Sequence, residues 1–175
     1  NGEAKPVYKS AERPPLSITP MPHFHLANMK RYSAMSIQYS RGCPFSCEFC
    51  DIIEIYGRVP RTKSIPQVLA EFDALYDLKW RGTVFIVDDN FIGNKKNVRT
   101  LLPELAKWQK ARGYPFCLIT ESSLNLADDE ALLASMREAG FRRVFIGIET
   151  PVEASLHEAQ KSQNNSEQAL CFLWL

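Results

Sequence analysis

The chain has 175 residues, of which 45% are apolar and 23% charged, and its formal net charge is +1. This composition is typical of one globular domain and argues against a disordered chain. The near-neutral charge gives no indication of a nucleic-acid or anionic-membrane partner, and no apolar run reaches the roughly 18 residues of a membrane span. No secretory signal is visible. The first residue is Asn1 rather than Met, so we expect a fragment or a processed piece.

The first 35 residues are predicted to form a linker or an extended arm. Prolines recur throughout this stretch and prevent a continuous helix, at Pro6, Pro14, Pro15, Pro20 and Pro22. His23 and His25 also lie here, and we interpret them as surface residues rather than metal ligands.

From Ser36 onward, strand-like and helix-like segments alternate. The predicted strands are residues 35–40, 83–87, 116–120 and 143–148, and the apolar run 83–87 predicts a strand buried on both faces. The predicted helices begin near Ser64, Asn94, Asp128 and Thr150, and Pro103 predicts a kink or break in the second helix. The alternation predicts four parallel βα units. Residues 36–164 are therefore expected to be an α/β domain, as an open sheet or a partial barrel.

Three of the five cysteines lie within eight residues, at Cys43, Cys47 and Cys50. Their spacing is C-x3-C-x2-C, directly after the first predicted strand. A 4Fe–4S cluster usually has four thiolate ligands, so three local thiolates would leave one iron open to a small molecule. Cys117 and Cys171 could in principle supply the fourth ligand, although Cys117 fits better as a small buried residue of the third strand.

Two further conclusions follow from the cysteine spacing. Crowded cysteines make a poor disulfide framework, which favours a reducing, cytoplasmic compartment. A structural zinc site is the alternative to a cluster, but zinc commonly takes two pairs of ligands, and no second pair is present in the sequence.

Polar residues follow three of the predicted strands. Ligands of α/β barrels bind at the C-terminal ends of the strands, and carboxylates there are costly to bury without a partner. A solvated loop or a helix cap is the alternative for the two aspartates, whereas Thr150 fits a cap better than Glu149 does, which favours a ligand role for Glu149. The residues concerned are Asp88, Asp89, Asn90, Glu121, Ser122, Glu149 and Thr150.

The segment from Arg41 to Cys50 resembles the radical S-adenosylmethionine superfamily, whose motif is C-x3-C-x-aromatic-C, with Phe49 as the aromatic residue. The wider stretch from Ser36 to Ile53, with residues 87–96 and 145–151, is similar to the branch that carries an N-terminal cobalamin-binding domain. Within that branch it is similar to the subgroup that includes the hopanoid C-2 methylases. The resemblance covers roughly residues 30–164.

This resemblance implies part of a partial (βα)6 barrel, with about four units present. It implies that Cys43, Cys47 and Cys50 bind three irons of a 4Fe–4S cluster and that S-adenosylmethionine chelates the fourth. One-electron cleavage would give a 5′-deoxyadenosyl radical, for cobalamin-dependent methylation or a related radical reaction. Phe49 would pack near the adenine, unless it is an ordinary core aromatic. The methionine amino group and ribose hydroxyls would be met by Asp88, Asp89, Glu121, Ser122 and Glu149.

The resemblance also implies partners and boundaries. We expect a small-molecule or lipid substrate and an electron donor such as a flavodoxin or ferredoxin. A cobalamin-binding domain would precede the arm, and residues 165–175 form an atypical tail that does not match the family. Two other functions remain open. One is a radical methylthiotransferase acting on RNA, which would normally add a basic domain and further cluster cysteines. The other is a non-catalytic zinc-binding or inactive fragment.

Overall fold

The computed structural model describes residues 7 and 12–164. In this part of the chain the strands are β1 (Ala34–Ile37), β2 (Ser40–Arg41), β3 (Arg61–Thr62), β4 (Thr83–Ile86), β5 (Cys117–Ser122) and β6 (Phe141–Ile146). The α-helices are α1 (Ile52–Ile55), α2 (Ile65–Asp77), α3 (Lys95–Ala111), α4 (Glu130–Glu138) and α5 (Glu153–Glu158). None of these helices has the length and apolar character needed to cross a bilayer.

Four strands form one parallel sheet in the order β1-β4-β5-β6. Parallel neighbours need crossover connections, which helices α2, α3 and α4 provide between consecutive strands of the sheet. Strand β6 leads into α5 in the same way. The predicted α/β fold with four parallel βα units is therefore confirmed. The short strands β2 and β3 pair separately and antiparallel.

The sheet is buried on one face and partly exposed on the other. Val84 and Ile86 are fully buried among residues of α2, α3 and α4, whereas Phe85 between them is only partly buried. Strand β4 thus alternates, and the prediction of burial on both faces was wrong. The reason is that the helices cover one face only. We call the other face, which carries Ser36, Phe85, Ile119, Glu121 and Phe145, the open face.

Strand boundaries differ from those predicted because pairing, not composition, sets them. The predicted first strand divides, since β1 ends at Ile37 and Ser40 pairs with Thr62 instead. Strand β5 runs to Ser122, which pairs with Ile146, so Glu121 and Ser122 lie within the strand rather than after it. For the same reason β6 begins and ends two residues earlier than the predicted 143–148.

Helix α2 begins as predicted, with Ser64 and Gln67 forming a capping box. Helix α3 runs without interruption through Pro103, so the predicted break is absent. Its flanking side chains Leu102 and Leu105 are fully buried, and this packing outweighs the backbone hydrogen bond that proline removes.

The starts of α4 and α5 also differ from prediction. Asp129, not Asp128, caps α4, because its carboxylate accepts a hydrogen bond from the Leu132 amide at 3.1 Å. Helix α5 begins at Glu153, and no side chain caps it. Thr150 instead accepts a hydrogen bond from the Val152 amide at 3.2 Å, which forms a turn ahead of the helix.

Ahead of β1, which begins at Ala34, the described part of the arm contains only short 3-10 turns, and this agrees with the predicted lack of a continuous helix. It is nevertheless fastened to the domain. The Arg13 guanidinium donates to the backbone carbonyls of Glu54 and Ile55, at 2.8 and 3.3 Å. His23 and His25 are exposed, as expected. Residues 165–175, including Cys171, lie outside the described residues.

Candidate cluster-binding site

The three cysteines lie on residues 42–60, which we call the cysteine loop. The pairing of β2 with β3 closes the loop at its base. Gly42 enters it at φ +107°, and a Cβ there would lie 2.8 Å from the Gly57 carbonyl oxygen. The Cys43 amide donates to that same oxygen at 3.2 Å. Glycine at position 42 therefore permits both the backbone turn and the close approach.

Asp88 anchors the start of the cysteine loop to the end of β4. Its carboxylate accepts hydrogen bonds from the amides of Tyr39 and Ser40, at 2.7 and 2.9 Å, and from the Ser40 hydroxyl at 2.7 Å. Burial raises the pKa of Asp88 to about 6, although these hydrogen bonds oppose the shift. Asp88 is 1% exposed, so its carboxylate holds the loop from beneath rather than facing an open space.

Cys43, Cys47 and Cys50 are all half-buried and free of disulfides. Burial raises the pKa of the Cys43 thiol, while hydrogen bonds from the Phe45 backbone and from Asn90 lower it. The neighbouring Cys47 and Cys50 raise it further by charge repulsion. The Cys43 thiol is thus close enough to each of the other two cysteines to interact with it electrostatically.

Within the described residues, the three thiols are not arranged around a single metal-ion position. Among the described residues, no group of three or more His, Cys, Asp or Glu side chains is arranged to hold one ion. A tetrahedral zinc with Zn–S bonds of about 2.3 Å would bring its sulfurs within roughly 4 Å of one another. A 4Fe–4S cluster also binds through thiolates, but its own iron and sulfide atoms hold them further apart. Three free thiols on one loop are ligands of the type that a 4Fe–4S cluster takes.

Cys117 lies at the opposite end of the sheet. It is the first residue of β5, and the carboxyl ends of the parallel strands face the cysteine loop. Ser122 is five residue steps further along the strand, a distance of about 16 Å. This placement favours the interpretation of Cys117 as a strand residue over that of a fourth ligand, although Cys117 is half-buried rather than buried as expected.

Asp89 and Glu121 form a pair of carboxylates beside the cysteine loop. Burial raises the pKa of Asp89, and the Gly42 backbone amide opposes the shift. Burial also raises the pKa of Glu121, and the Asp89 charge raises it further. One Asp89 oxygen, Oδ2, is buried and has no hydrogen-bond partner among the described residues. The pair can therefore accept hydrogen bonds from a cationic or hydroxyl-bearing ligand.

Of the remaining candidate residues, Glu149 and Phe49 lie near Lys161, whereas Ser122 lies inside the domain. Glu149 forms an ion pair with Lys161, and the Lys161 Nζ lies 5.6 Å from the centroid of the Phe49 ring. Phe49 is 60% exposed, which contradicts the core-aromatic alternative. Ser122 is buried on the helix side of β5, where its hydroxyl bonds the Ser123 carbonyl at 3.2 Å.

Two side-chain contacts to cysteine sulfurs of the loop were not predicted from the sequence. The Gln163 side-chain amide donates to Cys47 Sγ at 3.3 Å, and the Asn90 amide lies 3.9 Å from Cys43 Sγ. Only the position of Asn90 at a strand end could have suggested its contact. Gln163 lies 116 residues from Cys47, beyond the reach of any local pattern.

Residues 37–170 match the model of the Radical SAM superfamily. An uncharacterized methyltransferase of Synechocystis sp. is 53% identical over 163 residues, which are 93% of this chain and 30% of that protein. The hopanoid C-2 methylase of Rhodopseudomonas palustris is 44% identical over 158 residues, 90% of this chain and 30% of that protein. The chain thus spans about a third of the length of these relatives.

Two solved structures share the fold. The radical S-adenosylmethionine methyltransferase TsrM of Kitasatospora setae superposes with a TM-score of 0.66 at 20% identity, over 73% of this chain and 24% of that one. The cobalamin-dependent S-adenosylmethionine radical enzyme OxsB gives a TM-score of 0.57 at 22% identity, over 74% of this chain and 21% of that one. The parallel sheet therefore corresponds to part of a radical-enzyme partial barrel.

Proposed function

The chain belongs to the radical S-adenosylmethionine superfamily, and from this membership we propose that it is the cluster-binding core of a methyltransferase-type radical enzyme. Members of the superfamily use a 4Fe–4S cluster and S-adenosylmethionine. The two relatives with the highest identity reported above are named as a methyltransferase and a methylase, which favours methylation over methylthiolation of RNA.

Cys43, Cys47 and Cys50 are the proposed cluster ligands. The observation that carries this proposal is three free, half-buried thiols on one loop whose base is closed by β2 and β3. When bound, the cluster supplies one electron to S-adenosylmethionine, whose reductive cleavage gives the 5′-deoxyadenosyl radical. Asp88 has a separate task, because its three hydrogen bonds fix where the loop leaves the sheet.

Ligand binding is assigned to the carboxylates around the loop. Asp89 and Glu121 would accept hydrogen bonds from the methionine amino group and the ribose hydroxyls, which suits the unpartnered Oδ2 of Asp89. Phe49 would offer its exposed ring to the adenine. Glu149 would contribute a third carboxylate, now paired with Lys161. Ser122 and Asp88, both buried, would support these residues rather than touch the ligand.

The relatives and the cysteines also suggest a second cofactor, a substrate class, an electron donor and a cellular compartment. We propose cobalamin as a further cofactor, supplied by a part of the protein outside these residues, and a small-molecule or lipid methyl acceptor. An electron donor such as a flavodoxin or ferredoxin would reduce the cluster. The crowding of three cysteines within eight residues makes a poor disulfide framework, which supports a reducing, cytoplasmic setting.

Anaerobic reconstitution tests the proposal. We expect a brown protein with about four irons and four sulfides per chain. Added S-adenosylmethionine should change the EPR signal of the reduced cluster, and a low-potential reductant should yield 5′-deoxyadenosine. Stoichiometric zinc without sulfide would contradict the proposal and restore the zinc-module alternative.

A further inference from the structure

Residues 159–164, which we call the cover segment, lie across the cysteine loop. The Ala159 carbonyl accepts a hydrogen bond from the Glu48 amide at 3.0 Å. At its other end, the Asn164 side-chain amide donates to the carbonyls of Gly147 and Ile148, at 3.0 and 2.9 Å. The cover segment therefore ties the cysteine loop to the chain that leaves β6.

Lys161 lies between Ala159 and Asn164 and makes a third contact between the cover segment and the rest of the domain. Its side chain is 9% exposed, and its ammonium group is paired with Glu149 and lies beside the Phe49 ring. A charge buried to this extent is costly unless it keeps its partner. The backbone on either side of Gln163 is consequently held in place by Lys161 and Asn164.

Gln163 directs its side-chain amide at a cysteine sulfur. The Nε2 group donates to Cys47 Sγ at 3.3 Å. The Oε1 atom is buried and has no hydrogen-bond partner among the described residues. The sulfur is thus the one described partner of this amide, and the fixed backbone keeps the N–H group aimed at it.

We propose that Gln163 is a positioning residue that raises the reduction potential of a cluster bound through Cys47, an inference that rests on the proposed function of Cys47 as a ligand. An N–H dipole that points at a ligand sulfur stabilises the additional negative charge of the reduced state. Hydrogen bonds to the sulfurs are among the factors that set the potential of iron–sulfur clusters. Reduction adds one electron from a low-potential donor and needs no proton from Gln163.

Asn90 makes a weaker contact of the same kind. Its Nδ2 lies 3.9 Å from Cys43 Sγ but only 3.1 Å from the Ser123 hydroxyl. Its side-chain oxygen, Oδ1, accepts a hydrogen bond from the Ser123 backbone amide. The Asn90 amide is therefore mainly committed to Ser123, and Gln163 is the stronger donor to a cysteine.

An EPR-monitored redox titration of the reconstituted protein tests this role. Gln163→Leu removes the donor with little change in volume, and we expect a more negative potential at unchanged iron and sulfide content. Gln160→Leu is the matched control, because Gln160 is exposed and lies in the same segment, and it should keep the wild-type potential. Equal potentials for the wild type and Gln163→Leu, with full clusters in both, would overturn the inference.

A measurement on the unaltered side chain covers the case in which Gln163→Leu fails to hold a cluster. Protein labelled with 15N at the glutamine side-chain amides should give a 15N coupling to the reduced cluster in pulsed EPR, and Gln160→Leu should retain it. A wild-type cluster without this coupling would refute the role of Gln163. A wild type that takes up no iron–sulfur cluster at all would instead refute the proposed function, and with it the inference.

Discussion

Asp88 Oδ2 accepts hydrogen bonds from both the backbone amide and the hydroxyl of Ser40, at 2.9 and 2.7 Å. Ser40 is the residue at which the chain turns from the parallel sheet into β2 and then the cysteine loop. A single carboxylate after β4 thus determines where the loop begins. Because this carboxylate is buried, the stability of the fold should depend on whether Asp88 is protonated.

Stability should fall as the pH rises through the titration range of Asp88. The folded-state pKa of about 6 lies above the ordinary value of 3.8, so ionisation is harder in the fold than in the unfolded chain. The protonated carboxyl group of Asp88 therefore contributes about 3 kcal/mol to the free energy of unfolding. This stabilisation is complete below about pH 4 and is lost between pH 4 and 6. Urea unfolding of the wild type across this range measures it.

Asp88→Asn removes the titrating group and should remove this pH-dependent component. It should also lower stability at low pH by about 1–3 kcal/mol, because the new NH2 group faces a backbone amide that needs an acceptor. Asp128→Asn, at an exposed position, is the control and should keep the wild-type slope. An unchanged slope in Asp88→Asn would assign the pH dependence to another group.

Alanine at Cys43, Cys47 or Cys50 should abolish the cluster in each case, because three thiolates are the proposed ligand set. Cys117→Ala should retain it, since Cys117 lies at the far end of β5. Cys171→Ala should retain it as well, although that residue lies outside the described part of the chain. Iron and sulfide quantitation after reconstitution measures the outcome. Loss of the cluster in Cys117→Ala alone would disprove the three-cysteine site.

Glu149→Gln should keep the cluster but weaken S-adenosylmethionine binding. Loss of a charged hydrogen-bond partner costs on the order of 1.5–3 kcal/mol, or roughly tenfold or more in affinity. The same change leaves the Lys161 ammonium unpaired, so the melting temperature should fall too. Calorimetric titration below the melting temperature separates the two effects. Exposed Glu138→Gln is the control, and an unchanged dissociation constant in Glu149→Gln would give Glu149 a purely structural role.

Phe145→Thr should reduce self-association. Strand β6 is an edge of the sheet within the described residues, and Phe145 on it is 70% exposed. Unpaired apolar edges recruit other chains, whereas threonine keeps the strand preference without the apolar surface. Light scattering at increasing protein concentration measures the effect. Leu26→Thr removes a comparably exposed apolar residue from the arm and should leave the association unchanged.

The sequence by itself determined those features that depend on near neighbours in the chain. The spacing of Cys43, Cys47 and Cys50 predicted a cluster motif, because three thiols within eight residues lie on one segment of chain whatever the fold. Val68, Phe72 and Leu75 recur at helical spacing, and this periodicity alone places them on one face of α2, which is the face that is buried. The alternation of strands and helices gave the parallel α/β fold for the same reason.

Only the tertiary structure decided which polar residues face the site. Asp88 and Asp89 are adjacent and chemically identical, yet one is buried beneath the loop and the other lies beside Glu121. The bond from Gln163 to Cys47 spans 116 residues. Such contacts depend on strand order, on register and on the path of the chain across the sheet. Local propensity and spacing carry no information about these, because they arise only when distant segments pack together.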